Sequence, residues 1–99
     1  MDRSLYEFGY ASAATHFKQA TLAVFQDLNG KYPQVPFDEL HRVSARAMEL
    51  HLAANGFAKK IWEQSLPYEK AEGFLISQFP EIPPEICAAA LSKGYVDRR

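Results

Sequence analysis

Apolar side chains recur along this chain at three- and four-residue steps, and no stretch alternates strictly between apolar and polar. The first spacing puts side chains on one face of a helix, and the missing alternation leaves no strand to predict. Gly and Pro cut the pattern into pieces. The first piece runs from about Ser4 to Asn29, with Tyr10, Phe17 and Val24 seven apart and Ala13, Ala14, Ala20, Thr21 and Leu28 filling the steps between. Asp2 or Ser4 is its expected cap, and Asn29-Gly30 its expected stop, because both residues tolerate the left-handed backbone past a helix end. Gly9 is expected to weaken its first turns.

Pro33 and Pro36 mark Lys31–Phe37 as a loop. A second helix follows from about Asp38 to Ala54, where Leu40, Val43, Ala47, Leu50 and Ala54 give the cleanest amphipathic pattern of the chain. Asp38 and Glu39 suit the positive end of the helix dipole. Asn55-Gly56 reads as a second stop, and a short third helix then spans about Phe57 to Gln64. A fourth begins near Pro67 and carries Ala71, Phe74, Leu75 and Phe79. The run Phe79-Pro80-Glu81-Ile82-Pro83-Pro84 reads as a rigid connector. A fifth helix starts near Pro84, with Gly94 as its expected cap and Tyr95 and Val96 folding back on its last turn. The prediction is all-α: residues 1–99 as a single helical domain, a compact bundle or orthogonal array of four to five helices. The Ala-rich first and fifth helices are expected to make the tightest contact.

Composition narrows the function classes. Seven Phe, five Tyr and one Trp supply the dense core that so short a chain needs. Eleven basic residues face twelve acidic ones, so the net charge of −1 provides no long-range field for nucleic acid or an anionic membrane. The opening MDRSLYEFGY is charged and lacks the apolar stretch of a signal peptide, and no run is long and apolar enough to span a bilayer. A lone cysteine, Cys87, has no internal disulfide partner, and a reducing, cytoplasmic setting is expected.

Catalytic and metal chemistry find little purchase. Cys87 sits beside three alanines and reads as a small buried side chain. His16, His41 and His51 lack metal-ligand spacing, so neither a metal nor a cofactor is expected. Asp38-Glu39 and Glu69 with Glu72 read as surface carboxylates. Asp27-Leu28-Asn29-Gly30 lacks the downstream ligands of a calcium loop. No enzyme is predicted, because an apolar pattern this complete leaves few inward polar groups for a pocket.

A binding role remains. Tyr6, Leu22 and Phe25 fall off the first apolar stripe, and Met48 and Leu52 off the second. Helices apolar on more than one side are either central or paired with something outside the monomer. Arg42, Arg46, Lys59, Lys60 and Trp62 are the expected interaction surface, since Trp and Arg are enriched at interfaces. The sequence therefore predicts a small interaction or regulatory protein, of accessory, inhibitor or immunity type, that binds a protein partner or a second copy of itself. The alternative is a helical nucleic-acid-associated regulator using the Arg42/Arg46 and Lys59/Lys60 cations. Against it, the helix that would enter a groove, Tyr68–Gln78, carries Glu69 and Glu72 with only Lys70.

Overall fold

A computed structural model describes residues 3–15 and 21–97 of the 99. It contains five helices: α1 (Arg3–Thr15), α2 (Thr21–Lys31), α3 (Phe37–Trp62), α4 (Tyr68–Gln78) and α5 (Pro84–Asp97). No strand occurs among the described residues, and none of their helices is long and apolar enough to cross a membrane. The expected roles of Asp2, His16, Phe17 and Ala20 fall outside the described residues.

The first predicted helix is two. Ser12 of α1 donates a hydrogen bond to Asp27 Oδ2 of α2 at 2.7 Å. Fifteen residues along one straight helix would separate the two by about 22 Å. The two helices instead lie side by side, and both reach α3. Leu5, Tyr6 and Ala13 bring α1 into the core, and Val24 and Leu28 bring α2.

The second and third predicted helices are one. Asn55-Gly56 does not stop α3, which continues through both in ordinary helical conformation. Its real stop is Gln64, the one described non-glycine residue at positive φ (60°). The Gln64 amide donates to the Ile61 carbonyl and the Ser65 amide to the Lys60 carbonyl, both at 3.0 Å. That pair of bonds is the Schellman closure of a helix end.

The long α3 is the spine, and each of the other four helices packs on it. Its 26 residues reach about 39 Å, which accounts for most of the 44 Å long axis. The thinnest dimension is only 15 Å. The resulting slab covers α3 on its inner side and leaves an outer strip bare. Leu40, Val43, Ala47, Leu50 and Ala54 all point inward, as their spacing predicts.

The tightest seam joins α5 to α3 rather than to α1. Gly94 does not cap α5 but sits inside it. A methyl group built there would lie 3.1 Å from Asn55 Oδ1, 3.3 Å from the Ala54 carbonyl oxygen and 3.4 Å from Ala58 Cβ. Tyr95 and Val96 likewise belong to the helix. Gly9 plays a similar part in α1, where an added Cβ would meet Val43 Cγ1 at 3.3 Å and Ala47 Cβ at 3.4 Å. It permits close approach to α3 rather than loosening the helix start.

Candidate interaction surface

The five residues expected to form an interaction surface divide between different faces of α3. Arg42, Arg46 and Lys60 share one longitudinal stripe, since they are separated by whole numbers of three- and four-residue steps. Lys59 projects about 100° away from Lys60. Trp62 turns toward α5.

Arg46 is committed to the protein itself. Its Nε donates to Glu81 Oε2 at 2.7 Å, one terminal nitrogen donates to Glu81 Oε1 at 3.0 Å and to the Gln78 carbonyl at 2.9 Å, and the other donates to Glu49 at 2.7 Å. The guanidinium also lies 4.4 Å from the centre of the Phe79 ring. This planar fork fastens the proline-rich connector, and with it the end of α4, to the middle of α3. The hydrogen bond from Arg46 holds the Glu81 carboxyl below its ordinary range, and the same contact raises the Arg46 value. Beneath the clamp lies Tyr6, 1% exposed, whose hydroxyl is buried without a hydrogen-bond partner. Burial, and then the Glu81 charge, push its phenol above the usual value. Arg42 lies 3.9 Å from Glu39 on the exposed surface.

Trp62 is a pin between helix ends. Its indole N–H donates to the Tyr95 carbonyl at 3.0 Å, and its ring stacks on that of Tyr95 at 5.1 Å and 16°. Tyr68 meets Tyr95 edge-on at 5.7 Å. The residue is partly exposed, yet its polar atom is satisfied within the chain.

The open apolar surface lies further along the stripe. A groove of about 240 Å³ runs between α3 and α4, lined by Ala53, Gly56, Phe57, Lys60 and Gln78. Phe57 stacks on Phe74 of α4, their ring centres 6.5 Å apart at 28°. Phe74 is 51% exposed. Gly56 lines it on the exposed side of α3, and nothing lies within 4 Å of where its Cβ would be. The Lys60 ammonium sits 5.8 Å over the Phe57 ring. Lys70, also exposed, is one turn before Phe74 and so flanks it from the α4 side. Among the described residues no carboxylate pairs with Lys60 or Lys70.

Two other places carry partly open aromatic surface. Phe25 packs against Phe37 at 5.8 Å and stacks on His41 at 4.0 Å, beside the exposed Leu22. A wider concavity of about 380 Å³, lined by Ser4, Glu7, Phe8, Ala11 and Tyr32, lies between α1 and the end of α2. There Phe8 and Tyr32 are half-buried and pack edge-on against each other, so little aromatic surface is left to offer.

Among the described residues the reactive side chains are held apart. Cys87 is fully buried, and burial, then the Glu81 charge, push its thiol up to about 11, far from the thiolate a nucleophile needs. His51 is buried with its Nε2 3.3 Å from Asn55 Nδ2, while His41 is exposed on Phe25. Among the described residues no three of His, Cys, Asp and Glu gather into a group that could hold a metal.

No family model, curated protein or solved structure matches this chain. The site therefore stands on its own geometry. Of the five residues expected, Lys60 lines the groove, while Arg46 and Trp62 hold the fold together. Gly56 and Phe57, which line it too, and Phe74, which stacks on Phe57, lie outside the expected set. The signal that points to them is a glycine inside a strong helical pattern, followed at once by Phe57, with Phe74 one step off the Ala71–Leu75–Phe79 row.

Proposed function

We propose that this chain is a non-enzymatic, cytoplasmic interaction protein that binds a protein partner through the α3–α4 groove. One observation carries the reading. Gly56 lies well inside a long helix, where glycine costs about 1 kcal/mol relative to alanine, and nothing in the fold occupies the space its missing side chain leaves. A local rule broken without a structural gain is expected where a surface serves binding. The exposed Phe74, stacked on the neighbouring Phe57, supplies an aromatic anchor of the kind that dominates interface energetics.

The nucleic-acid alternative draws on Arg42, Arg46, Lys59 and Lys60. It has less support, because Arg46 already spends its donors on Glu81, Glu49 and Gln78, and Lys59 projects away from Lys60.

Site-specific photocrosslinking in the native host tests the reading. A photoreactive residue at Phe74 should capture a defined protein, and excess purified chain should compete that capture away while the Phe74→Ser chain should not. Crosslinks from position 74 no different from those at exposed Ser92 on α5 would refute it.

A further inference from the structure

Arg46 closes the connector between α4 and α5 over a polar atom that the fold leaves unsatisfied. The connector, residues 79–83, contains Pro80 and Pro83, with Pro84 opening α5, and proline has no amide proton to donate. Its backbone bonds are local. The Phe79 amide donates to the Ile76 carbonyl at 3.2 Å and the Ile82 amide to the Phe79 carbonyl at 3.1 Å. Among the described residues no backbone bond ties it to α1 or α3. What holds it down is side chains. Phe79 and Ile82 are buried, and Arg46 reaches Glu81 twice and the Gln78 carbonyl once.

Under this strap lies Tyr6, whose hydroxyl is buried with no hydrogen-bond partner. The charges that act on that hydroxyl belong to Glu81, Arg42, Arg46 and Glu39, which places it against the inner side of the clamp. The Arg46 and Glu81 side chains are 27% and 32% exposed, so they stand between the hydroxyl and solvent. A buried hydroxyl without a partner has lost its bonds to water and gained none in return. The closed strap therefore carries two opposed terms at one place. The charge-assisted bonds of Arg46 favour closure, and the orphaned hydroxyl favours opening.

We propose that residues 79–83 form a strap that opens as a unit separate from global unfolding, latched by Arg46 and biased toward opening by the Tyr6 hydroxyl. The rest of the bundle stays folded in the open form, because the contacts that join α1, α2 and α3, and those that set α4 and α5 on α3, are made by the helices themselves. Segments with few backbone bonds to their neighbours are where such local opening occurs. The strap is independent of the interaction reading above.

Native-state hydrogen exchange of the full chain, read amide by amide by NMR, tests it. Corrected for intrinsic rates, the Phe79 and Ile82 amides should exchange at least about tenfold faster than those of Leu50 and Ala54 in the buried face of α3. Low urea should speed Leu50 and leave Ile82 nearly unchanged, because opening the strap exposes little surface. Val24→Ala lies on α2, away from the strap, and should speed Leu50 at least about tenfold while Ile82 changes by less than about twofold. In variants whose helical spectrum is intact, Arg46→Met should speed Ile82 at least about tenfold and Tyr6→Phe should slow it about two- to fivefold. Removing a polar group from each side of the latch thus moves one amide in opposite directions, which a general loss of packing cannot imitate.

Ile82 exchanging in step with Leu50, in the wild type and in Val24→Ala, would make the strap part of the global unfolding unit and overturn the proposal. Exchange at Ile82 that is unchanged or faster in Tyr6→Phe would overturn it as well, since the hydroxyl would then not favour the open form.

Discussion

Alanine at Gly56 and alanine at Gly94 are the same covalent change inside two helices, and the surroundings give them opposite signs. Either substitution recovers about 1 kcal/mol of helix propensity by reducing the freedom of the unfolded chain. At Gly56 the new methyl meets nothing within 4 Å, so most of that gain should appear, as about 0.5–1 kcal/mol of added stability. At Gly94 the methyl would stand 3.3 Å from the Ala54 carbonyl oxygen, which is backbone and cannot rotate away, and 3.1 Å from Asn55 Oδ1. Helix α5 must then move off α3 by a few tenths of an ångström, and overpacking of this kind costs about 1–3 kcal/mol. Taking the lower half of that range, the two variants should differ by about 1.5 kcal/mol, or roughly 5–10 °C in Tm for a domain of this size. Gly9→Ala, with 3.3 Å to the tip of Val43 and 3.4 Å to Ala47 Cβ, should fall between them. Urea denaturation followed by circular dichroism, with m-values compared, measures all three. Equal stabilisation at Gly94 and Gly56 would refute the close α3–α5 seam, and a loss at Gly56 would refute the open space around it.

Tyr6→Phe deletes a buried hydroxyl that has no partner, so stability should hold or rise by up to about 1 kcal/mol, and a loss on thermal melting would reveal a bond that hydroxyl makes. Gln64→Gly relieves a left-handed residue at the end of α3 and should add about 0.5–1 kcal/mol, whereas Gln64→Val should be destabilising in the same melt. The Cys87 thiol keeps its proton up to about 11 when folded and releases it near 9.0 when unfolded, so its contribution is full below pH 9 and lost between the two values. The wild type should lose stability over that window more steeply than Cys87→Ala, and the native thiol should react with a disulfide reagent at pH 8 only as fast as the chain opens. Glu81 is depressed by Arg46, so its contribution is present above the ordinary carboxylate value of 4.5 and lost as pH falls through the lower folded value. An Arg46→Met chain should therefore show a shallower acid limb in stability against pH, and an unchanged limb would dissociate the clamp from folding.

Periodicity located the inward face of α3 and the starts of α4 and α5, because those features depend on local steps and on proline at helix entry. It misplaced the breaks. Residues 16 to 20 read His-Phe-Lys-Gln-Ala and contain neither glycine nor proline, so nothing local separates α1 from α2; the demand that both faces reach α3 does. Asn55-Gly56 and Gly94 carry stop signals that the fold overrides, since Asn55 lies beside His51 and Gly94 is spent on close approach. The true stop at Gln64 belongs to a residue type with no special taste for the left-handed region. The groove was harder still. Phe57 and Phe74 are seventeen positions apart in sequence and stack only because the turn after α3 folds α4 back along it, and the Arg46 partners Glu81 and Gln78 lie more than thirty positions away.

The spine helix occupies the middle of the chain rather than an end, with two helices before it and two after. No partner must therefore travel the length of the polypeptide to find its docking face, and low average sequence separation between touching residues shortens the search that folding must perform. The chain should collapse from its centre outward on a sub-millisecond to millisecond timescale, with α3 the template on which the flanking pairs condense.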